Sequence, residues 1–154
     1  AHVVLYLYQY LFILICFGFF LINWFFMKNY SFIEKWGKVT SQLGFVSVPT
    51  ALLFAQSDLR INALEMNVLM NLLMHWWDKD QYPYPSQKAI AFRVGVSSRT
   101  VQRVLKELED KELIKRELSS RTHKVFKGRN VYNLDPLIEA LETLTPTIQE
   151  RLGK

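Results

Sequence analysis

The sequence predicts an α+β domain in which a three-helix core is followed by a two-stranded hairpin. Three observations lead to this prediction: a long helical pattern from Asn62 to about Trp77, two short helical patterns that meet at Gly95, and two short β-type runs around a basic loop. A short lead-in strand and a C-terminal helix are predicted on either side. The 154 residues are enough for one such domain with additional segments.

Composition excludes several classes of protein. Cys16 is the only cysteine, so there is no internal disulfide, and three scattered histidines do not build a zinc site with it. The chain has no phosphate-binding glycine loop, GxSxG motif or dinucleotide fingerprint. We therefore predict that the protein is not an enzyme and needs neither cofactor nor metal. Its net charge of +5 favours an acidic partner such as nucleic acid.

Residues 1–26 are a hydrophobic segment without Lys, Arg, Asp or Glu, and they are long enough to cross a bilayer. One interpretation is an inner-membrane anchor, for which the lysines at 28, 35 and 38 would keep the rest of the chain cytoplasmic. The other is a mis-translated upstream region, because Phe, Leu, Ile and Tyr supply 17 of the 26 residues, as T-rich DNA read as protein would. Met27 would then be the true start of a cytoplasmic, nucleoid-associated protein. The second interpretation is favoured, and both stay open.

Residues 27–60 are interpreted as a lead-in to a domain of residues 61–134. The alternation of apolar and polar residues from Phe45 to Pro49 predicts a short strand that the proline ends. A helical turn is predicted from Thr50 to Gln56.

Asn62, with Glu65 three residues later, has the pattern of a capping box and begins the first long helix. The polar stripe of this helix is narrow, so its apolar surface must be covered on two sides, within the chain or by a second copy in a homodimer. Its Met and Trp residues are interpreted as core or dimer surface rather than as a cofactor site. Pro83 and Pro85 predict an extended piece after the helix.

Two short helices follow. Ser86 caps the first, Gln87 to Val94, and Gly95 supplies the positive φ of a sharp turn. Ser97 caps the second, whose apolar stripe is Val101, Val104, Leu105 and Leu108. A second helix that opens with small hydroxyl residues and arginine is what a helix-turn-helix needs, because its first turn must enter the major groove and offer donors there.

Leu113 to Leu118 and Asn130 to Leu134 predict two strands joined by a basic loop, residues 119–129. From Ser86 to Asn130 there are twelve basic and five acidic residues, a net +7, so the rest of the chain sums to −2. Positive charge is therefore concentrated in this region. Lys111 and Lys115 are interpreted as solvated.

Together these segments resemble the winged helix-turn-helix domains of bacterial and phage transcription regulators and of plasmid or phage replication proteins. The resemblance rests on the following runs: Tyr84 to Gln87, Val94 to Arg103, Leu105 to Leu108, and Leu113 with Ile114, together with the lead-in at Phe45 to Pro49. It implies that the helix after Ser97 is the recognition helix and that residues 119–129 are the wing. Where the family often has glycine, this chain has Glu112.

The resemblance and the helix pattern together predict sequence-specific binding of double-stranded DNA. The residues expected to read bases are Ser97, Ser98, Arg99, Thr100, Gln102 and Arg103. The residues expected to contact the DNA backbone are Ser86, Lys88, Lys106, Arg121, Lys124, Lys127 and Arg129. Transcription regulation is the favoured role. The alternatives are the DNA-binding module of a replication-initiation protein and a membrane-tethered regulator.

Residues 135–154 are interpreted as a C-terminal helix and tail. Asp135 followed by Pro136 predicts a capped helix start, and Thr145-Pro146 predicts its end. This short amphipathic helix could cover the open side of the helix that begins after Asn62, within the chain or across a homodimer.

Overall fold

A computed structural model of the chain describes residues 32–120, 122, 124–126 and 128–153. The chain forms two compact units, with the boundary between Phe45 and Val46. The hydrophobic segment of residues 1–26 lies outside the described residues, so both of its interpretations remain predictions. Within the described residues, no helix has the length and apolar character needed to span a bilayer.

In the first unit, residues 32–36 are helical and helix α1, Lys38–Ser41, follows. The ring of Phe32 packs against that of Phe45, with 5.2 Å between centroids.

The second unit has five helices and one hairpin among its described residues. They are α2 (Thr50–Phe54), α3 (Ala63–Leu73), α4 (Gln87–Val94), α5 (Ser98–Asp110), β1 (Lys115–Leu118), β2 (Asn130–Asn133) and α6 (Asp135–Arg151). The strands are antiparallel, with Lys115 opposite Asn133 and Leu118 opposite Asn130. On the other side of β2, the Tyr132 N–H donates to the Pro83 carbonyl at 2.9 Å, so the predicted extended piece runs beside the hairpin.

The core lies where α3, α4 and α5 pack together, and α6 packs against α2. The predicted apolar stripe of α5 is confirmed, because Val101, Val104, Leu105 and Leu108 are all buried. The core of the second unit continues into α2 through Leu52 and into α6 through Leu137 and Leu141. The C-terminal helix therefore covers α2 of its own chain.

The start of α3 follows the prediction and its end does not. The Asn62 side chain accepts hydrogen bonds from the Leu64 and Glu65 N–H groups, and the Asn62 N–H donates to the Glu65 carboxylate at 2.8 Å, which completes the capping box. The helix ends at Leu73 rather than near Trp77. His75 and Trp76 form tighter turns, with their N–H groups bonded three residues back.

The capping glutamate is also half of an ion pair. Glu65 is 1% exposed, and its two oxygens lie 2.5 and 2.6 Å from the Lys111 ammonium. The same ammonium donates to the Arg60 carbonyl at 2.6 Å. The interpretation of Lys111 as solvated was therefore wrong, since this side chain joins the end of α5 to the start of α3.

The predicted lead-in strand is not formed. Residues 44–49 have no strand assignment, and α2 begins directly after Pro49. Alternating apolar residues favour an extended backbone, but a strand needs a hydrogen-bonded neighbour, and no strand among the described residues pairs with this segment.

The C-terminal helix is longer than predicted, because Pro146 lies inside it and does not end it. Its ring removes one backbone hydrogen bond. One residue before the proline, the Thr145 hydroxyl donates to the Leu141 carbonyl at 2.6 Å. Buried Ile148 and an ion pair between Arg151 and Asp58, 2.6 Å long, hold the last turns in place. At the other end, the cap position is Leu134, and Asp135 is already helical.

The junction between α5 and the hairpin has a left-handed backbone at Glu112, where the winged helix-turn-helix domains that the sequence resembles often have glycine. Glu112 has a φ of +56°. Its N–H donates to the Glu109 carbonyl at 2.9 Å, and the Leu113 N–H donates to the Leu108 carbonyl at 3.0 Å, which is the hydrogen-bond pattern of a glycine-type helix end. The strand begins only at Lys115, because Leu113 and Ile114 are buried in the core.

Replacing Glu112 with glycine is therefore expected to stabilise the protein. A side chain in the left-handed conformation costs about 1 kcal/mol or more, which Glu112→Gly should recover in part. Urea unfolding would measure the gain. As a control, Gln102→Gly in the middle of α5 should lower stability by about 1 kcal/mol, because that position is right-handed helix. A loss of stability in Glu112→Gly would contradict this account.

Candidate nucleic-acid interface

Two serine caps and one glycine fix the geometry of α4 and α5. The Ser86 hydroxyl accepts from the Ala89 N–H at 3.1 Å and begins α4. Gly95 ends that helix with a φ of +76°, and the Ser97 hydroxyl accepts from the Thr100 N–H at 3.0 Å to begin α5. The predicted helix-turn-helix connection is present, since two residues, Val96 and Ser97, separate the left-handed glycine from α5.

The predicted base-reading residues lie in the first two turns of α5 or just before it. Ser97, Ser98, Arg99, Gln102 and Arg103 are exposed, whereas Thr100 is half-buried. The hydroxyls of Ser97 and Thr100 lie 2.8 Å apart and hydrogen-bond to each other, so both take part in the helix cap. Arg99 makes no ion pair or hydrogen bond with a side chain in the described part of the chain, so its guanidinium is available to a ligand.

Two other cations of this face are paired within α5. Arg103 lies 2.7 Å from Glu107, and Lys106 lies 2.5 Å from Asp110. Both pairs are exposed, and pairs of this kind contribute only about 0.3 to 0.5 kcal/mol. Releasing these two cations from their acidic partners therefore costs little.

A cleft of about 450 Å³ joins α5 to the start of α4 and to the hairpin. The lining of this cleft includes Ser86, Lys88, Ser98, Leu118, Arg129 and Tyr132. The first N–H groups of a helix carry partial positive charge and favour anions, and two helices begin at this cleft. With Lys88 and Arg129, the cleft is suited to a phosphate group.

The wing is described in part. Ser119 N–H donates to the Arg129 carbonyl at 3.2 Å, and Gly128 N–H donates to the Ser120 carbonyl at 3.0 Å, so hairpin-like pairing continues beyond the strands. Lys124 and Arg129 are exposed. Arg121 and Lys127 lie outside the described residues, and their predicted contacts with the DNA backbone remain predictions.

Sequence reasoning missed a group of residues beside this interface. Trp77 and Tyr84 line a second cavity, next to Arg129. The sequence predicts Trp77 as core or dimer surface; it is 78% exposed, so it is not part of the core. Its position after the end of α3, in a stretch rich in turn residues, was the available signal.

Comparison with known proteins agrees with this architecture. A family model for a helix-turn-helix domain matches residues 59–114. No curated protein sequence matches the chain. Among solved structures, the N-terminal domain of the DnaD protein from Geobacillus kaustophilus HTA426 is similar, with a TM-score of 0.52 and 21% identity over 73% of this chain and 89% of that one.

A second solved structure, the MepR–DNA complex of S. aureus, aligns over 68% of this chain and 77% of that one, with a TM-score of 0.44 and 20% identity. At these identities the likeness concerns the fold alone. The predicted winged helix-turn-helix fold is confirmed. Residues 59–114 form a helix-turn-helix domain, and β1, β2 and the loop between them make it a winged one.

Proposed function

We propose that this protein binds double-stranded DNA in a sequence-specific manner and acts as a transcription regulator. The observation that supports this function best is the cleft that joins the first turn of α5, through Ser98, to Lys88 of α4 and Arg129 of the wing. One contiguous surface thus offers a slim helix end for the major groove and cations on both sides of it for phosphates.

In this arrangement α5 enters the groove with its first two turns. Arg99 and Gln102 are exposed there and carry donors that suit the edges of guanine and adenine. Contacts with the DNA backbone come from the start of α4 and from the wing. The concentration of charge between Ser86 and Asn130, a net +7, supplies the part of the affinity that does not depend on sequence.

The experiment that tests this function is selection of bound duplexes from a random pool, followed by mapping of bound sites across the source genome. A transcription regulator is expected to enrich one motif and to occupy promoters. Duplexes recovered without a common motif would contradict sequence-specific binding.

A second role is a DNA-binding module in replication initiation. The run from Phe45 to Pro49, which resembles the segment before the first helix in replication-type members, favours it. Binding confined to a replication origin would select this role. In either role we place the protein at the nucleoid, and a membrane-tethered regulator applies if residues 1–26 are translated and inserted.

Contact between the wing and DNA phosphates can be tested by its salt dependence. Replacing Lys124 and Arg129 with alanine together is expected to weaken binding to all sequences alike and to lower the slope of log K against log salt by about two units, because each phosphate contact contributes about 0.9. Fluorescence anisotropy at several salt concentrations gives the slope. The double variant Arg60→Ala/Lys79→Ala removes the same charge from exposed side chains outside the interface and should leave the slope nearly unchanged. A slope equal to wild type in the wing variant would place the wing away from DNA.

We also propose a two-fold homodimer that binds a pseudo-palindromic site. Leu53 and Phe54 of α2 and Leu152 after α6 are large apolar side chains that are 42–51% exposed, and Phe54 and Leu152 line one shallow cavity. Apolar surface of this kind favours a protein partner. Sedimentation at micromolar concentration is expected to show dimers, and Phe54→Glu is expected to shift them to monomers. A monomeric wild type with a half-site footprint would reject the dimer.

A further inference from the structure

The second cavity lies between the end of α3 and the base of the wing and has a volume of about 320 Å³. Its lining includes His75, Trp77, Asp78, Gln81, Tyr84 and Arg129. This volume is at the lower end of the range for small-ligand sites, about 300 to 1,000 Å³. Ligand sites of this size combine aromatic walls with a few polar groups, and this lining has both.

The two aromatic residues of the cavity, Tyr84 and Trp77, differ in their contacts with the rest of the protein. The ring of Tyr84 packs edge-on against Phe126, with 5.0 Å between centroids, and the Arg129 guanidinium lies 5.9 Å from its centroid. Tyr84 is therefore fixed between an aromatic ring and a cation. Trp77 is largely exposed, which leaves an indole face on which a planar ring can stack.

The polar groups suit the edge of a heterocyclic ring. Asp78 offers carboxylate acceptors, and Gln81 offers an amide that both donates and accepts. His75 Nε2 lies 3.2 Å from an Arg93 nitrogen, and arginine only donates, so this ring nitrogen is the acceptor. Burial and the Arg93 charge lower the pKa of His75, so the imidazole is neutral near pH 7 and carries its proton on the other nitrogen.

From this lining we infer that the cavity binds a nucleobase, stacked on Trp77, with the attached phosphate at Arg129. A base has a planar face for the Trp77 indole and donor and acceptor edges for Asp78 and Gln81. Arg129 supplies the cation that a nucleotide phosphate requires. The base comes either from a free nucleotide or from an unpaired position in nucleic acid, which have this chemistry in common.

This site goes beyond the proposed duplex binding but shares one residue with it. Arg129 lines both this cavity and the cleft beside Ser98. A nucleotide phosphate that engages Arg129 withdraws it from the DNA backbone, so an occupied cavity is expected to weaken duplex binding.

The test uses the full chain with ¹⁵N labels and follows the indole N–H of Trp77 and the backbone amides of Asp78 and Gln81. The probes are the four deoxynucleoside monophosphates at about 1 to 10 mM, where weak single-base binding is detectable, and an unstructured oligothymidylate. Ribose 5-phosphate, which lacks a base, is the control ligand. We expect saturable shifts with at least one nucleotide or with the oligonucleotide, and none with ribose 5-phosphate.

Trp77→Ala is expected to weaken binding about 5- to 150-fold, because the stacking face is lost. Trp36→Ala, which removes another exposed indole, should not change it. Shifts by mononucleotides identify the free ligand as the source, and shifts by the oligonucleotide alone identify an unpaired base. Equal shifts with ribose 5-phosphate, no shift with any probe, or unchanged affinity in Trp77→Ala would each overturn the inference. Because no duplex is present, these results are separate from the test of the proposed function.

Discussion

Lys111→Met is expected to lower the free energy of unfolding by about 3 kcal/mol, the lower end of the cost of leaving one partner of a buried ion pair without the other, because the Lys111 side chain is itself 29% exposed. The Glu65 carboxylate is 1% exposed and lies 2.5 Å from the Lys111 ammonium. Without that ammonium, the carboxylate keeps only the Asn62 N–H as a described hydrogen-bond partner, and the Arg60 carbonyl loses its donor from Lys111. Urea unfolding monitored by circular dichroism measures the loss.

Two further variants distinguish the effect of an unpaired buried carboxylate on stability from the effect of losing any lysine. Lys106→Met removes the partner of Asp110, but that pair has side chains about 60% exposed or more, so the expected change is under about 0.5 kcal/mol. Adding Glu65→Gln to Lys111→Met should recover part of the lost stability, because the buried group is then neutral and still accepts from Asn62. A loss of less than about 1 kcal/mol in Lys111→Met would mean that water replaces the lysine without cost.

The order of the helices could be predicted because their ends follow local rules. Ser86, Gly95 and Ser97 each act on groups within five residues, and the structure places their side chains or φ angles as those rules require. The same applies to the capping box at Asn62. The Glu65–Lys111 pair could not be found this way, because 46 residues separate the partners and only the packing of α5 on α3 brings them together.

The errors in the fold have the same origin. The lead-in at Phe45 to Pro49 has a strand-like pattern, but strand formation depends on a neighbour elsewhere in the chain. Pro146 is a helix breaker by local rules, yet buried Ile148 and the Arg151–Asp58 ion pair favour continuation of α6. In the first case a tertiary partner is missing, and in the second tertiary contacts override a local preference.

The same distinction between local patterns and tertiary contacts applies to the candidate site. Periodicity places Arg99, Gln102 and Arg103 on the face of α5 opposite its buried stripe, and all three are exposed. Periodicity does not show that Arg129 lines both the cleft and the aromatic cavity. That placement depends on how the hairpin folds back onto the start of α4.

Arg99→Ala is expected to reduce affinity for the preferred duplex by about 1 to 3 kcal/mol and to relax preference at one or two base pairs. Arg99 lies exposed in the first turn of α5 and forms no ion pair among the described residues. No existing ion pair therefore has to be broken before its guanidinium can bind the edge of a base. Its substitution should leave folding unchanged, because no described side chain depends on it.

The measurement is a binding isotherm for the selected site and for a set of single-base variants of that site. Arg99→Lys keeps the charge but cannot form the two parallel hydrogen bonds of a guanidinium with guanine, so affinity should recover in part while preference stays relaxed. Arg60→Ala removes an equal charge beside Lys111, at the other end of α5, and should keep both affinity and preference. If Arg99→Ala retains wild-type preference at every position, the base-reading role of the first turn is excluded, and recognition must come from the wing or from the shape of the DNA.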